Sequence, residues 1–352
     1  MKNKIFYTKL TKWEHWPTYM FYVPLIPYYI YKAIRARNLV FYLAANPAIK
    51  YSGNGTESKF KTIQLIPQEF RPKTVLVPAL QAFEITTKQI ALSEIKYPLI
   101  AKPDVGFRGY LVKKINSEKD LHDYLKRNDI DIIIQEFIDY KNECGILYAR
   151  VPNQTEGEIT SITLKKFLTI KGDGRSTLSE LITNDNRAYL YFDLLKNIHK
   201  DAMNTIVKKD EEKVLTVIGN HSKGTQFLNG NHLISKELIT TIDAINKKID
   251  GWYYGRLDIK YDTFEKLKQG KDFKIIEING IISEPTHIYD SQGATYFDAL
   301  KTIKSHWKKM NKIARINHDL FNVSYPKIIP YLKEIFWLRK YSKKIINLNK
   351  VN

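Results

Sequence analysis

Two stretches late in the chain place polar side chains at every second position of otherwise apolar runs. In "WYYGRLDIKYD" (252–262) they are Arg256, Asp258 and Lys260, and in "DFKIIEING" (272–280) they are Glu277 and Asn279. Successive strand side chains point to opposite faces, so each run predicts a strand with one polar and one apolar face. On that spacing Ile276 and Ile278 share the face opposite Glu277 and Asn279. Only the charged loop "TFEKLKQGK" separates the runs, which predicts an antiparallel hairpin. With faces matched, Asp258, Glu277 and Asn279 converge beside Arg256. Oxygen donors gathered in one place repel or stay unsatisfied without a cation, and hard oxygen donors suit Mg²⁺. An arginine beside them suits stabilisation of developing negative charge. The alternative is a surface salt-bridge patch.

The rest of the chain predicts an α+β architecture in more than one layer. A Gly-containing loop, "YSGNGTES", closes an aromatic entry segment, and a proline-rich connection holds a short strand over Thr74–Val77. A helix is expected over about Phe83–Ile95, then a strand in "PLIAKP", a glycine turn "DVGFRGY" and a strand "LVKKI". Ser117 is the expected N-cap of the next helix, with Glu118 and Asp120 in its first turn. "DIIIQEFI" reads as a buried strand. From Gly145 strands dominate, in "GILYARV" and "GEITSITLKKFLTI". Helices are expected after Ser176 or Thr177, over about Ala188–Lys208 and in "SKELITTIDAINKKI", with "GNHSKGTQFLNGN" as loop.

Charge separates the ends of the chain from its middle. The net charge is +19; residues 1–50 hold +7 and residues 301–352 hold +11, so the middle is nearly neutral. A nearly neutral body argues against a nucleic-acid partner and for a soluble catalytic or binding unit. The segment Trp16–Tyr31 has seven aromatics and no charge, is interrupted by Pro17, Pro24 and Pro27, and is followed by Lys32, Arg35 and Arg37. It is short for a membrane span of roughly 20 residues, but aromatics flanked by Lys and Arg suit a bilayer interface. The C-terminal "YPKIIPYLKEIFWLRKYSKKIINL" repeats that chemistry. Both ends therefore predict an anionic membrane surface as a partner, the alternative being that they pack on the body with their charges solvated. Cys144 is the single cysteine, which excludes an internal disulfide and a cysteine-based zinc cluster. With no cleavable signal pattern the expected compartment is the cytoplasm, at the inner face of the cell membrane.

Lys102 ends an apolar strand and is followed by Gly106 and Gly109, a pattern suited to phosphate, though no G-x-x-x-x-G-K-[ST] loop is present. The order of Lys102-Pro103 with its glycine loop, "QEFI" followed by Glu143, "GRLDIK" and then "EIN" resembles the ATP-grasp superfamily. D-alanine–D-alanine ligases and cyanophycin synthetases are its most similar members. "IKGDGRSTLSELI" resembles the G-D-G-[KR]-x-T segment of the latter, and "NHSKGT" the N-x-x-[RK]-G-G loop of related ligases. The resemblance covers about residues 59–295. It implies ATP held between two α+β subdomains, transfer of the γ-phosphate to a carboxylate, attack of an amine or thiol on the acyl phosphate, and release of ADP and phosphate. ATP with Mg²⁺, or Mn²⁺ in its place, would be the cofactors, and a carboxylate and an amine, free or lipid-linked, the substrates.

Residue by residue, the resemblance makes Lys102 and Lys165 phosphate-binding bases, and Lys59 a further nucleotide lysine. Glu136, Phe137 and Ile138 become the adenine-binding hinge and Glu143 the ribose acid. Asp258, Glu277 and Asn279 become metal ligands, Arg256 and Lys223 catalytic cations. The implied division is an N-terminal segment 1–58, subdomains 59–140 and 141–300, and a basic helical tail 301–352. Two departures stand out. "GIISEPTHIYD" replaces the Ser-Pro-Gly segment that follows Asn279 in D-alanine ligases, which puts Glu284 and His287 where an acceptor is contacted. "NHSKGT" lacks the second glycine. Homo-oligomerisation and loss of catalysis in a nucleotide-binding module both stay open.

Overall fold

A computed structural model describes residues 2–351 except 108, 217–218 and 291–292. Its strands are β1 (Thr74–Val77), β2 (Leu99–Pro103), β3 (Lys113–Ile115), β4 (Ile132–Glu136), β5 (Asn142–Ala149), β6 (Glu158–Lys166), β7 (Thr169–Lys171), β8 (Glu212–Val214), β9 (Gln226–Asn229), β10 (Tyr254–Tyr261) and β11 (Phe273–Asn279). They form a four-stranded sheet in the order β1-β4-β2-β3, a five-stranded sheet in the order β11-β10-β5-β6-β9, and the pair β7-β8. Residues 137–141 carry the chain from β4 in the first large sheet to β5 in the second.

The apolar face of the five-stranded sheet is filled by Cys144, Ile146, Leu257, Ile259 and Ile275 and covered by the helix Lys236–Asn246 through Leu238 and Ile242. Burying side chains of this kind stabilises by about 1.5–3 kcal/mol each, so this layer anchors the strands that carry the polar face. Ser235 caps the covering helix by accepting from Leu238 N at 3.2 Å. Leu99, Ile115, Leu121 and Ile134 make the core of the four-stranded sheet.

Several local expectations meet their physical cause. Ser117 accepts from Asp120 N at 3.2 Å, and Thr177 with Glu180 closes a capping box. The charged loop of the hairpin instead contains a helix, Phe264–Lys268, because Thr263 accepts from Lys266 N at 3.3 Å and Glu265 occupies the first turn. The helix expected over Ala188–Lys208 is broken into 3₁₀ turns at Ala188–Tyr191 and Lys200–Ala202 around Phe192–Ile198. The prolines divide the aromatic run into short helices, as expected. Pro24 and Pro27 occupy the first turns of the 3₁₀ helix Val23–Leu25 and the helix Ile26–Ala36, where a missing N–H costs nothing.

Both ends of the chain fold back onto the body. The helix Tyr296–Phe321 packs Ile313 and Ala314 against Leu147, Ala149 and Tyr254, on the same sheet face as Asp258 but further along it. Phe21 and Leu25 pack against Ile288, Ala299 and Ile303. The helix Ile328–Val351 lays Ile345 against the four-stranded sheet, and Asn349 accepts from Leu111 N at 2.9 Å. The loop after the aromatic helices meets the end of β11 backbone to backbone: Ile281 N donates to Ser52 O at 2.9 Å and Ile282 N to Gly53 O at 3.1 Å. A Cβ at Gly280 would stand 1.9 Å from Ser52 O, so only glycine allows this approach.

Candidate active site

The register of β10 and β11 sets Asp258 opposite Glu277 and Arg256 opposite Asn279, so the polar faces match as their spacing predicts. A bulge lies between the paired positions, with Asp258 opposite Glu277 but Ile259 opposite Ile275. Ile276 is the extra residue, which corrects the simple alternation: Ile275 and Ile278 are buried in the core and Ile276 is half-buried. The bulge offers the Ile276 carbonyl to the other sheet, where Lys102 Nζ on β2 and Gln135 Nε2 on β4 each approach it at 3.5 Å.

Asp258 is the centre of the cluster and is 4% exposed. Arg256 binds it through two parallel bonds, Nε to Oδ1 and Nη2 to Oδ2, both 3.1 Å. Lys165 Nζ on β6 reaches Asp258 Oδ1 at 2.9 Å and Glu143 Oε1 on β5 at 2.7 Å. Asn279 Nδ2 donates to Asp258 Oδ2 at 3.1 Å. Gly145, opposite Asp258 on β5, leaves the space that Arg256 fills, since a Cβ there would lie 2.8 Å from Arg256 Cδ. At the outer edge, Lys59 forms an ion pair with Glu277 and its Cε lies 2.6 Å from where a Gly106 Cβ would stand. The Lys102 ammonium is held by Gln135 Oε1 at 3.0 Å.

These charges hold one another in place. Burial alone would raise the Asp258 carboxyl, but Arg256 and Lys165 outweigh it and hold the group well below the ordinary carboxylate range. Glu277 is lowered in the same way, burial being overcome by Lys59 and Lys102. Burial opposes the Lys165 charge, yet Asp258 and Glu143 raise its pKa. Lys102 differs. Burial outweighs the nearby Glu277 and pushes it down to about 8, so it is the cation of the cluster nearest to losing its proton at neutral pH.

Other expected residues fall around this centre. Glu136 ends β4, its carboxylate accepting from Lys73 N at 3.1 Å. The ring of Phe137 lies under Lys114 at 4.1 Å, so the 136–138 segment stands where the chain crosses between sheets. Glu143, expected on a ribose, is 6% exposed and spends its contact on Lys165. Lys223 packs over the Tyr110 ring at 4.0 Å, which brings the "NHSKGT" loop to the glycine turn. Glu284 accepts from Tyr22 and, at 2.9 Å, from Tyr289; His287 Nδ1 is 2.6 Å from Ser161 Oγ. Burial lowers His287 to about 4 against a smaller opposing effect from Asp290.

Spacing gave no sign of two features. Arg187 ties the "NHSKGT" loop, donating from Nε to Gly224 O at 3.0 Å, and also pairs with Glu14 at 3.3 Å. A cavity of about 700 Å³ opens just beyond Asn279, lined by the loop 281–285 together with the N-terminal aromatic helices and the helix Tyr296–Phe321.

Asp258, Glu277 and Asn279 offer two carboxylates and an amide oxygen at adjacent register positions, a hard-oxygen set that fits Mg²⁺. Lys59, Lys102, Lys165 and Arg256 surround it, a cation set that fits a phosphate chain, and a Cβ at Gly106 would have to displace the end of the Lys59 side chain.

No family model matches the chain and no characterised protein matches its sequence. Solved structures do align with it. VanG D-Ala:D-Ser ligase from Enterococcus faecalis is 14% identical over 76% of this chain and 64% of its own, with a TM-score of 0.43. D-alanine–D-alanine ligase from Bacillus anthracis is 13% identical over 76% and 71%, TM-score 0.42. A bifunctional glutathione synthetase from Pasteurella multocida is 15% identical over 71% of this chain and 36% of its own, TM-score 0.38. The chain thus spans about a third of one of these proteins and just under two thirds of another.

Proposed function

We propose that the protein is an ATP-dependent carboxylate–amine ligase that releases ADP and phosphate. One observation carries this reading: three carboxylates and four cations, from both large sheets and from the helix Lys59–Gln64, converge at the polar face of β10 and β11. A purely structural salt-bridge network would have little reason to gather four buried or half-buried cations around an amide and a bulged carbonyl, because each charge loses hydration.

ATP would supply the phosphoryl group that activates a carboxylate as an acyl phosphate, from which an amine displaces phosphate with loss of one proton. Asp258, Glu277 and Asn279 would hold Mg²⁺, with Mn²⁺ as a substitute. Lys59, Lys102 and Lys165 oppose phosphate charge, and Arg256, fixed by its two bonds to Asp258, faces the carbon under attack. Segment 136–138, between the sheets, suits an adenine edge, and Glu143 a ribose only if it turns from Lys165. Lys223, over the glycine turn, covers the phosphates.

The reading extends to a membrane surface. Among the described residues eleven exposed large hydrophobic side chains lie in 1–58 and seven in 301–352, against nine in the whole of the body between. Lys32, Arg35, Lys304 and Lys327 share those segments. No helix of the described residues is long and apolar enough to cross a membrane, so the contact proposed is interfacial. The division into 1–58, 59–140, 141–300 and 301–352 follows the same proposal.

Calorimetric titration with Mg²⁺ and a non-hydrolysable ATP analogue tests the core of it. Metal-dependent binding in the wild type that weakens or disappears in Glu277→Ala supports the ligase, and no binding to folded protein overturns it. Release of AMP and pyrophosphate in place of ADP would point to adenylation instead. Flotation with vesicles, with and without anionic lipid, tests the surface, and protein retained by neither composition removes it.

A further inference from the structure

The cavity beyond Asn279 differs in chemistry from the charged cluster next to it. Its walls are mainly apolar and aromatic, with Tyr22, Val23 and Ile26 from the N-terminal helices facing Ile303, Trp307 and Met310 from the helix Tyr296–Phe321. Val23 and Ile26 are exposed at its rim. Isolated apolar surface is ordinary, but a concave apolar site with a few polar groups at one end has the form of a small-molecule site.

Those polar groups lie toward the cluster. Ser283 Oγ accepts from Arg256 N at 3.2 Å, which joins the floor of the cavity to the strand that carries Asp258. Glu284 lies near enough to Arg256 to add to the carboxylates that raise its pKa against burial, its effect coming after those of Asp258 and Glu277. Tyr22 and Tyr289 each donate to Glu284, one to each oxygen. A carboxylate has about four acceptor directions, so these two leave capacity for a cationic donor. Asn311, 7% exposed and also lining the cavity, has a buried side-chain Nδ2 with no hydrogen-bond partner. That donor calls for an acceptor, which a water can supply and an ammonium group cannot.

We propose that this cavity binds an amphiphilic amine, its apolar tail between the terminal helices and its ammonium group on Glu284. Resting on the ligase reading, this makes the acceptor a long-chain amine and gives the aromatic N-terminal segment a part in substrate selection. The rim opens among the exposed side chains of that segment, so a free amphiphile and an amine-headed bilayer lipid share the chemistry.

Binding is measured on the full chain without nucleotide, by calorimetry with a series of n-alkylamines and n-alkanols below their micelle concentrations. Kd for the amines falls about fourfold per added methylene until the cavity is filled. Glu284→Gln weakens the amines tenfold or more and leaves the alkanols unchanged. Met310→Trp, which fills the apolar wall, removes the dependence on chain length; either variant suffices if the other fails to fold. Binding that ignores chain length, or equal loss of amines and alkanols in Glu284→Gln, overturns the proposal. Vesicles of phosphatidylethanolamine and of phosphatidylcholine distinguish the sources, a headgroup preference abolished by Glu284→Gln marking the bilayer amine. Alkylamine binding without any binding of nucleotide would retain the cavity and discard the ligase, and the reverse would discard only the cavity.

Discussion

The two sides of Gly280 are built on opposite principles. Before it, on β10 and β11, Arg256, Asp258, Glu277 and Asn279 each have a charged partner, and Asp258 alone receives Arg256, Lys165 and Asn279. After it, the loop 281–285 enters a cavity whose walls are mainly apolar and where the buried Asn311 Nδ2 has no hydrogen-bond partner. Paired charges fix geometry, since removing one leaves the others uncompensated. An apolar wall fixes little beyond volume, and so can vary with what it binds. On the proposed reading, the contrast locates precision on the strands and selectivity on the helices.

The hardest test of that contrast is Asp258→Ala. It leaves Arg256 and Lys165 buried without their shared carboxylate, and is expected to cost about 3–5 kcal/mol of stability, read by urea unfolding, and about a thousandfold or more in ADP release. Its pH dependence has a definite sign. Because the folded pKa lies below the ordinary value of 3.8, the stabilisation from Asp258 is present above that value and is lost as pH falls further. The wild-type advantage over the variant therefore narrows below pH 3.8. If a cavity-wall change such as Met310→Trp cost as much turnover with every substrate, the contrast would fail.

Gly145→Ala is a smaller disturbance of the same side. Its Cβ would meet Arg256 Cδ at 2.8 Å, and the guanidinium must shift. A displacement near 1 Å predicts a ten- to hundredfold loss of kcat with nucleotide KM little changed, measured in steady-state assays.

Lys102 sharpens the comparison through protons. Its pKa of about 8 means that free protein at pH 9 holds it largely neutral, whereas phosphate favours the charged form. Nucleotide binding near that pH is expected to take up close to one proton, and affinity to fall as pH rises above 8. Calorimetry in buffers of different ionisation enthalpy checks this, and Lys102→Met should abolish the uptake.

The smallest effect on folding is expected from Ile329→Ser with Phe336→Ser, both exposed on the C-terminal helix. Unfolding should move by no more than about 0.5 kcal/mol, while retention on anionic vesicles drops several-fold.

The same contrast explains what could be read in advance. Arg256, Asp258, Glu277 and Asn279 lie on two strands joined by a short connection, so a period of two and one hairpin suffice to bring them together. Lys165 and Glu143 follow from strands next in the same sheet. The bulge at Ile276 was not legible, because an extra residue in an apolar pair leaves no mark in the pattern. The helix Phe264–Lys268 was legible in principle: Thr263 before Glu265 is a cap signal, obscured by the density of charge around it. The cavity could not be foreseen, since it is assembled from segments more than 200 residues apart, and its helical walls lie outside the residues that the resemblance covers.

Cys144 lies directly behind the charged cluster, on the apolar face of β5, with no exposed surface. Burial is the main cause of its raised pKa, so the thiol is both hidden and poorly ionised. As the single cysteine it gives alkylating reagents one place to react, and that place becomes reachable only when the central strands part. The labelling rate of the unmodified chain thus reads the opening of the sheet beneath the site, and a bound nucleotide that slows it would do so without any engineered probe.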